Sequence, residues 1–202
     1  FFGRDFSVSP AVLIPRPETE HLVEWSLELP LPDDARILDV GTGSGCIILS
    51  LAAERPNWHC TATDISKAAL AVAAINRERL QLPQVRLLHG SLLEPLDETG
   101  FDLIVSNPPY VAAGDPHLEQ GDVRFEPEIA LTAGPNGLEL IGTLMAQARY
   151  KLAPGGWLLI EHGYDQAAAV CRLMRDHGYE SIESRRDLAG IERVTGGTKP
   201  AC

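Results

Sequence analysis

The stretch Ile37-Leu38-Asp39-Val40-Gly41-Thr42-Gly43-Ser44-Gly45-Cys46 decides the fold. A buried strand, Arg36–Val40, runs into a turn rich in glycine, and a helical pattern follows near Cys46–Arg55. Glycines let the backbone approach a ligand closely and take positive φ. In a doubly wound sheet such a turn lies at the carboxyl edge of the strands, where ligands bind. Asp64 ends the next strand, His59–Asp64, 23 residues after Gly41. A carboxylate there suits the two hydroxyls of a ribose. Turn and acid together fit two cofactors, NAD and S-adenosylmethionine. The pyrophosphate fingerprint wants a third glycine or alanine where Cys46, a bulkier residue, stands. Asp39, two residues before the first glycine, can help hold the amino group of a methionine moiety.

Outward from this turn, short apolar strands alternate with longer helical patterns. Further strands are expected at Val85–His89, Phe101–Ser106 and Trp157–Glu161, with weaker ones near Ser181–Ser184 and Glu192–Thr195. Helices are expected near Lys67–Gln81, Leu138–Leu152 and Asp165–His177. Ile141, Leu144, Met145, Ala148 and Leu152 form one helical stripe, and Val170, Leu173, Met174 and His177 another, both read as core. Gly178 stops the second helix. This alternation means a largely parallel sheet covered on both faces. The last two strands have no helix between them and are expected to pair antiparallel. At the front, Arg4–Val8 and Val12–Ile14 alternate as a small β-hairpin would. A helix then starts at Arg16-Pro17 and stops at Pro30 and Pro32. The expected division is 1–32 for hairpin and linker helix, 33–196 for the main domain and 197–202 for a tail.

The whole chain has 202 residues, of which 45% are hydrophobic and 22% charged, enough for a sizeable core and unlike a disordered chain. Lys and Arg number 17 against 28 Asp and Glu, a net charge of −11. That argues against a general phosphate-backbone binder. No apolar run reaches the length of a membrane span, and no signal peptide opens the chain, so a cytoplasmic protein is expected. Because it begins with Phe1, a missing N-terminal part is expected. Cys46, Cys60, Cys171 and Cys202 are scattered, as reduced thiols are. The histidines show no ligand spacing, so no metal is expected; His162 alone should lie near the site, as a structural neighbour.

The strand Phe101–Ser106 runs into Asn107-Pro108-Pro109-Tyr110. Two prolines lack N–H donors, fix φ and force extended geometry on their neighbours, so the loop is stiff. The Asn107 amide oxygen and the Pro108 carbonyl are two fixed acceptors, which suit a planar NH2 group. Tyr110 can stack on that group. The long loop from Pro108 to about Gly137 points to function. Its Glu126 and Glu128 are equally readable as contacts for a basic partner or as solvated charge, and Gly134-Pro135-Asn136-Gly137 reads as a turn.

At this point the sequence resembles the protein-(glutamine-N5) methyltransferases that modify the GGQ glutamine of class I peptide-chain release factors. The resemblance runs from Phe1 to about Gly196. It rests on Val12-Leu13-Ile14-Pro15-Arg16-Pro17-Glu18-Thr19-Glu20, the glycine turn, Ala62-Thr63-Asp64-Ile65-Ser66, Asn107–Tyr110, Gly121-Asp122-Val123-Arg124-Phe125-Glu126-Pro127 and Glu161-His162-Gly163. It implies a Rossmann-like class I methyltransferase fold, an α/β domain with a seven-stranded, mostly parallel sheet and a last antiparallel strand. It implies S-adenosyl-L-methionine as cofactor, S-adenosyl-L-homocysteine as product, and class I release factors as partners, without membrane or stable nucleic acid. Gly41, Thr42, Gly43, Ser44 and Gly45 would wrap the methionine end, and Asp64 would hold the ribose. Asn107 and Pro108 would hold the glutamine amide, with Pro109 beside them and Tyr110 walling the pocket; Asn107 would also border the cofactor. The family often carries an acid and an aromatic where this chain has Ser91 and Leu92, so adenine would meet a hydroxyl and an aliphatic side chain. Members also carry a helical domain ahead of the matched segment. The rival readings are an adenine-N6 methyltransferase on nucleic acid, a non-catalytic adaptor and a dehydrogenase. Net charge counts against the first and the intact Asn107–Tyr110 against the second; an NADH titration would test the third.

Overall fold

A computed structural model describes residues 1–111, 127 and 137–201. The elements are α1 (Glu20–Glu28), β1 (Arg36–Val40), α2 (Cys46–Glu54), β2 (His59–Asp64), α3 (Lys67–Arg79), β3 (Arg86–His89), β4 (Phe101–Ser106), α4 (Glu139–Lys151), β5 (Leu152–Glu161), α5 (Ala167–Asp176), β6 (Glu180–Arg186) and β7 (Glu192–Thr198). They form a seven-stranded sheet in the order β3-β2-β1-β4-β5-β7-β6. β7 runs antiparallel to both its neighbours, β5 and β6, and the strands from β3 to β5 pair in parallel. The order reverses at β1, between β2 and β4, which is where a ligand crevice forms in such sheets.

Apolar side chains fill both faces. Leu22, Trp25, Ile48, Leu51, Leu103 and Leu159 belong to one cluster, and Leu38, Ile104, Ile141, Met145, Leu158 and Val170 to the other. Alternate residues of β1 and β4 therefore point to opposite layers, the period a two-faced buried strand requires. Of the stripe expected on α4, Ile141, Leu144, Met145 and Ala148 are fully buried and Leu152 opens β5; of the stripe on α5, Val170 and Met174 are fully buried, whereas Leu173 and His177 are half-buried.

Three expectations change. The N-terminal hairpin does not form; residues 4–16 contain no strand. The segment turns at Ser9–Val12 and is held by a side chain instead: Ser7 N–H donates to Asn76 Oδ1 at 2.7 Å, and Asn76 Nδ2 donates to the Ser7 carbonyl at 2.9 Å. Pro10 at the turn and Pro15 and Pro17 beyond it lack the N–H donors a hairpin ladder needs. β5 starts at Leu152, not Trp157, because Ala153-Pro154-Gly155-Gly156 continues the strand through an irregularity in its pairing with β4. β7 extends past Gly196: Gly197 pairs with Leu158, Thr198 with Trp157, and Lys199 N–H donates to the Gly156 carbonyl at 2.8 Å. Of the motif Gly121–Pro127, residues 121–126 lie outside the described residues, as do Glu128, Gly134–Asn136 and Cys202.

Candidate active site

Two adjacent strand ends build the site. Ser106 Oγ, at the end of β4, donates to the Val40 carbonyl at the end of β1, at 2.7 Å. The glycine turn and the Asn107–Tyr110 loop therefore leave the sheet side by side. Gly41, Gly43 and Gly45 take φ of +74°, +56° and +82°, a region costly for side chains with a Cβ. The N–H groups of Gly41 and Thr42 both donate to the Thr63 carbonyl, at 2.9 and 3.0 Å. A Cβ at Gly41 or Gly43 would meet nothing within 4 Å, whereas one at Gly45 would lie 2.9 Å from Leu49 Cδ1 and 3.3 Å from Ala73 Cβ. The first two glycines face open space, and the third lets α2 pack on α3.

Asp64 closes the turn from β2. Its Oδ2 accepts from Gly43 N–H at 2.9 Å and its Oδ1 from Ser66 N–H at 2.8 Å. Each oxygen keeps a lone pair for a ligand hydroxyl. Asp39 lies beneath, fully buried, with Oδ2 accepting from the Thr42 hydroxyl at 2.6 Å and Oδ1 lacking a partner among the described residues. Burial pushes its carboxyl up to about 7, with the Thr42 bond opposing and the Asp64 charge adding. Leu92 holds φ +47°, a strained value for a side chain of its size, and its carbonyl accepts from the Thr63 hydroxyl at 2.8 Å.

A cavity of ≈ 540 Å³ joins these parts. Gly41, Thr42, Gly43, Ser44, Asp64, Ser91, Leu92, Asn107, Pro108 and Pro109, all singled out from the sequence, line it. Asp39, Gly45 and Tyr110 do not. Tyr110 instead packs against the core layer beneath α4 and α5. Its carbonyl accepts from Gln166 Nε2 at 3.0 Å, and a Cβ on Gly137 would collide with that carbonyl, so the loop's end is braced on both sides. Burial pushes the Tyr110 hydroxyl pKa up. His162 is fully buried and outside the lining; its Nδ1 pairs with the Gly163 carbonyl at 2.9 Å and its Nε2 with Thr195 Oγ1 at 2.8 Å. Burial lowers its pKa.

Sequence reasoning missed several contributors. Ala11, Val12, Leu13, Pro15 and Thr19 form a further wall, and exposed Ile65 flanks Asp64. Val12 anchors that wall by packing on Ala69 and Val72 of α3. Asn76 ties wall and turn together, donating to the Ser44 carbonyl at 2.8 Å as well as to Ser7. Asn107 Nδ2 donates to Thr19 Oγ1 at 3.2 Å. Glu161, the last residue of β5, is 2% exposed, and its Oε2 has no partner among the described residues. Burial raises its carboxyl to about 7, aided by the Glu18 charge and opposed by Thr19, Arg193 and Asn107. Its signal in the sequence was a lone acid closing the apolar run Trp157–Ile160.

The methyltransferase small domain family matches residues 19–122. A release factor glutamine methyltransferase of Neisseria gonorrhoeae is 50% identical over 199 residues, covering 98% of this chain and 72% of that protein. The Pseudomonas aeruginosa protein of the same name is 50% identical over 197 residues, covering 98% and 71%. A solved protein-(glutamine-N5) methyltransferase, release factor-specific, from Alicyclobacillus acidocaldarius is 32% identical, with TM-score 0.57 over 96% of this chain and 99% of that one. A methyltransferase from Pyrococcus furiosus shares the fold, with TM-score 0.73 at 22% identity over 98% and 90%. Identity at this level over nearly the whole chain, on a fold whose cavity joins a glycine turn to Asn107-Pro108-Pro109, places it: the chain belongs to the release factor glutamine methyltransferase family.

Proposed function

We propose that the chain transfers a methyl group from S-adenosyl-L-methionine to the N5 amide nitrogen of the GGQ glutamine in class I peptide-chain release factors. One observation carries the reading: Asn107 and Pro108 share a cavity with the glycine turn and Asp64, while the Asn107 NH2 group is engaged by Thr19. The amide oxygen is thereby left for a substrate.

The residues present fit the cofactor. Gly41 and Gly43 offer a cradle without side chains, Asp64 keeps acceptor sites for ribose hydroxyls, and Ile65, Ser91 and Leu92 offer a mixed face for the base. Asp39, buried outside the lining next to Thr42, would balance the charge of the methionine ammonium. When bound, S-adenosylmethionine supplies an electrophilic methyl on a sulfonium.

An amide nitrogen is a poor nucleophile because its lone pair is delocalised into the carbonyl. Asn107 Oδ1 and the Pro108 carbonyl would accept from its two N–H groups and point the nitrogen at the methyl. Both bonds strengthen as positive charge builds on nitrogen, so they favour the transition state over the ground state. Orientation alone can supply up to roughly 7–11 kcal/mol. The methylated nitrogen is acidic enough to release its proton to water, so no strong base is required. Mass spectrometry of a release factor incubated with the chain and S-adenosylmethionine should find one added methyl on the GGQ peptide. Methylation elsewhere, or none, would overturn the reading.

A further inference from the structure

Asn107 has two ends of nearly the same shape. A half-turn about its last side-chain torsion would place NH2 donors in the cavity where an acceptor is needed. Thr19 cannot prevent that alone, because a hydroxyl both donates and accepts. An ionised carboxylate can, since it only accepts. Glu161 lies within hydrogen-bonding influence of both side chains, at the end of the strand next to β4.

The geometry points to Glu161 and Thr19 as a positioning pair that fixes which end of the Asn107 amide faces the substrate. This rests on the reading of Asn107 as holder of the glutamine amide. Glu161 takes the Thr19 hydroxyl hydrogen. The Thr19 oxygen is then left to accept from Asn107 Nδ2, at 3.2 Å. The order is directional, from amide NH2 to hydroxyl to carboxylate, and it turns Oδ1 toward the cavity. A hydrogen bond drawn from an amide N–H toward an anion also polarises the amide and strengthens its oxygen as an acceptor. That strengthening is felt most when the substrate nitrogen becomes positive.

The arrangement accounts for an acid that stability does not explain. A buried carboxyl with one oxygen lacking a partner among the described residues is costly, and an apolar side chain would close the strand more cheaply. Charged groups of both signs act on it, the Glu18 carboxylate raising its pKa and the Arg193 guanidinium lowering it. The nearby Tyr110 hydroxyl and Cys46 thiol stay neutral, both pushed up by burial. Glu161, with its carboxyl at about 7, ionises in the physiological range. Asn107 should be correctly oriented above that pH and progressively free to turn below it.

The test is a double-mutant cycle between Glu161→Gln and Asn107→Ala, with turnover on a release factor, cofactor affinity and side-chain amide resonances as readouts. Glu161→Gln alone should lower kcat about tenfold or more at pH 8, with cofactor affinity within about twofold, and should flatten the wild-type rise of kcat through pH 7. In the Asn107→Ala background the same substitution should change kcat by less than about twofold, since the group it positions is gone. In labelled wild-type protein the Asn107 NH2 signals should titrate near pH 7, and in Glu161→Gln they should not. The resonance readout needs no substrate, so it stands even if release factors proved not to be methylated. Should Glu161→Gln not fold, Thr19→Val should reproduce the kcat loss and Thr19→Ser should restore it. Equal losses in both backgrounds, an unchanged pH profile, or an Asn107 amide indifferent to Glu161 or Thr19 would overturn the proposal.

Discussion

Asp39 and Asn107 represent the two halves of the site at the scale of single residues. Asp39 has an Oδ1 without a partner among the described residues and a carboxyl raised to about 7. Below that pH it is neutral and above it is ionised, and a methionine ammonium favours the ionised form. Cofactor affinity should therefore weaken, by up to about tenfold per pH unit, as pH falls below 7, and level off above it. Calorimetry of Asp39→Asn should show no such slope; a slope that persists would assign it elsewhere. Asn107→Ala removes one of two acceptors yet leaves the stiff loop. Turnover should fall by about 10²–10³, roughly 2.7–4 kcal/mol. Cofactor affinity should stay within a few-fold, because Gly41–Ser44 and Asp64, which line the same cavity, would hold the methionine and ribose ends. Near-normal turnover would show that Asn107 does not hold the amide. The roles proposed for these residues come from motifs within short stretches of sequence, Asp39 ahead of the glycine turn and Asn107 ahead of two prolines. Glu161 and Thr19 were not legible in that way, since their partners come from elements far apart in sequence, β5, the turn before α1 and the end of β4.

Among the elements, the N-terminal segment gains a meaning the sequence did not carry. Alternation at Arg4–Val8 and Val12–Ile14 matches a hairpin, yet Val12 and Leu13 wall the cavity, and Ser7 ahead of them is held by one buried asparagine. Asn76 makes bonds to Ser7 and Ser44, and losing them leaves polar backbone groups without partners. Asn76→Ala should destabilise the fold by about 2–4 kcal/mol. It should also weaken cofactor binding, since wall and glycine turn are released together. Denaturant melts and titration of the same variant check both; a stable variant with normal affinity would remove Asn76 from the account. The strands β1, β2 and β4 follow their apolar runs to the residue because both of their faces are buried. β5 does not, because Pro154-Gly155-Gly156 has the composition of a turn and forms strand only through pairing with its neighbours.

Taken whole, the molecule is strongly acidic, with net charge −11. A release factor domain that enters an RNA-rich site should be basic, so encounter should be electrostatically steered. Methyl transfer at limiting release factor should slow as salt rises from low to moderate concentration, and indifference to salt would count against this. Stability should also depend on pH. Asp39 and Glu161 hold their protons up to about 7 in the fold, whereas in the unfolded chain they release them near the ordinary carboxylate range. The folded state then binds more protons in that window, so stability should fall as pH rises through it. Thermal melts should show Asp39→Asn with a flatter decline than wild type. The central claim is that the glutamine amide of the GGQ motif is the methyl acceptor. The most direct test is transfer of tritiated methyl from S-adenosylmethionine to an intact release factor and to one whose GGQ glutamine is replaced. Label on the first and none on the second is the predicted result; equal label on both would contradict it.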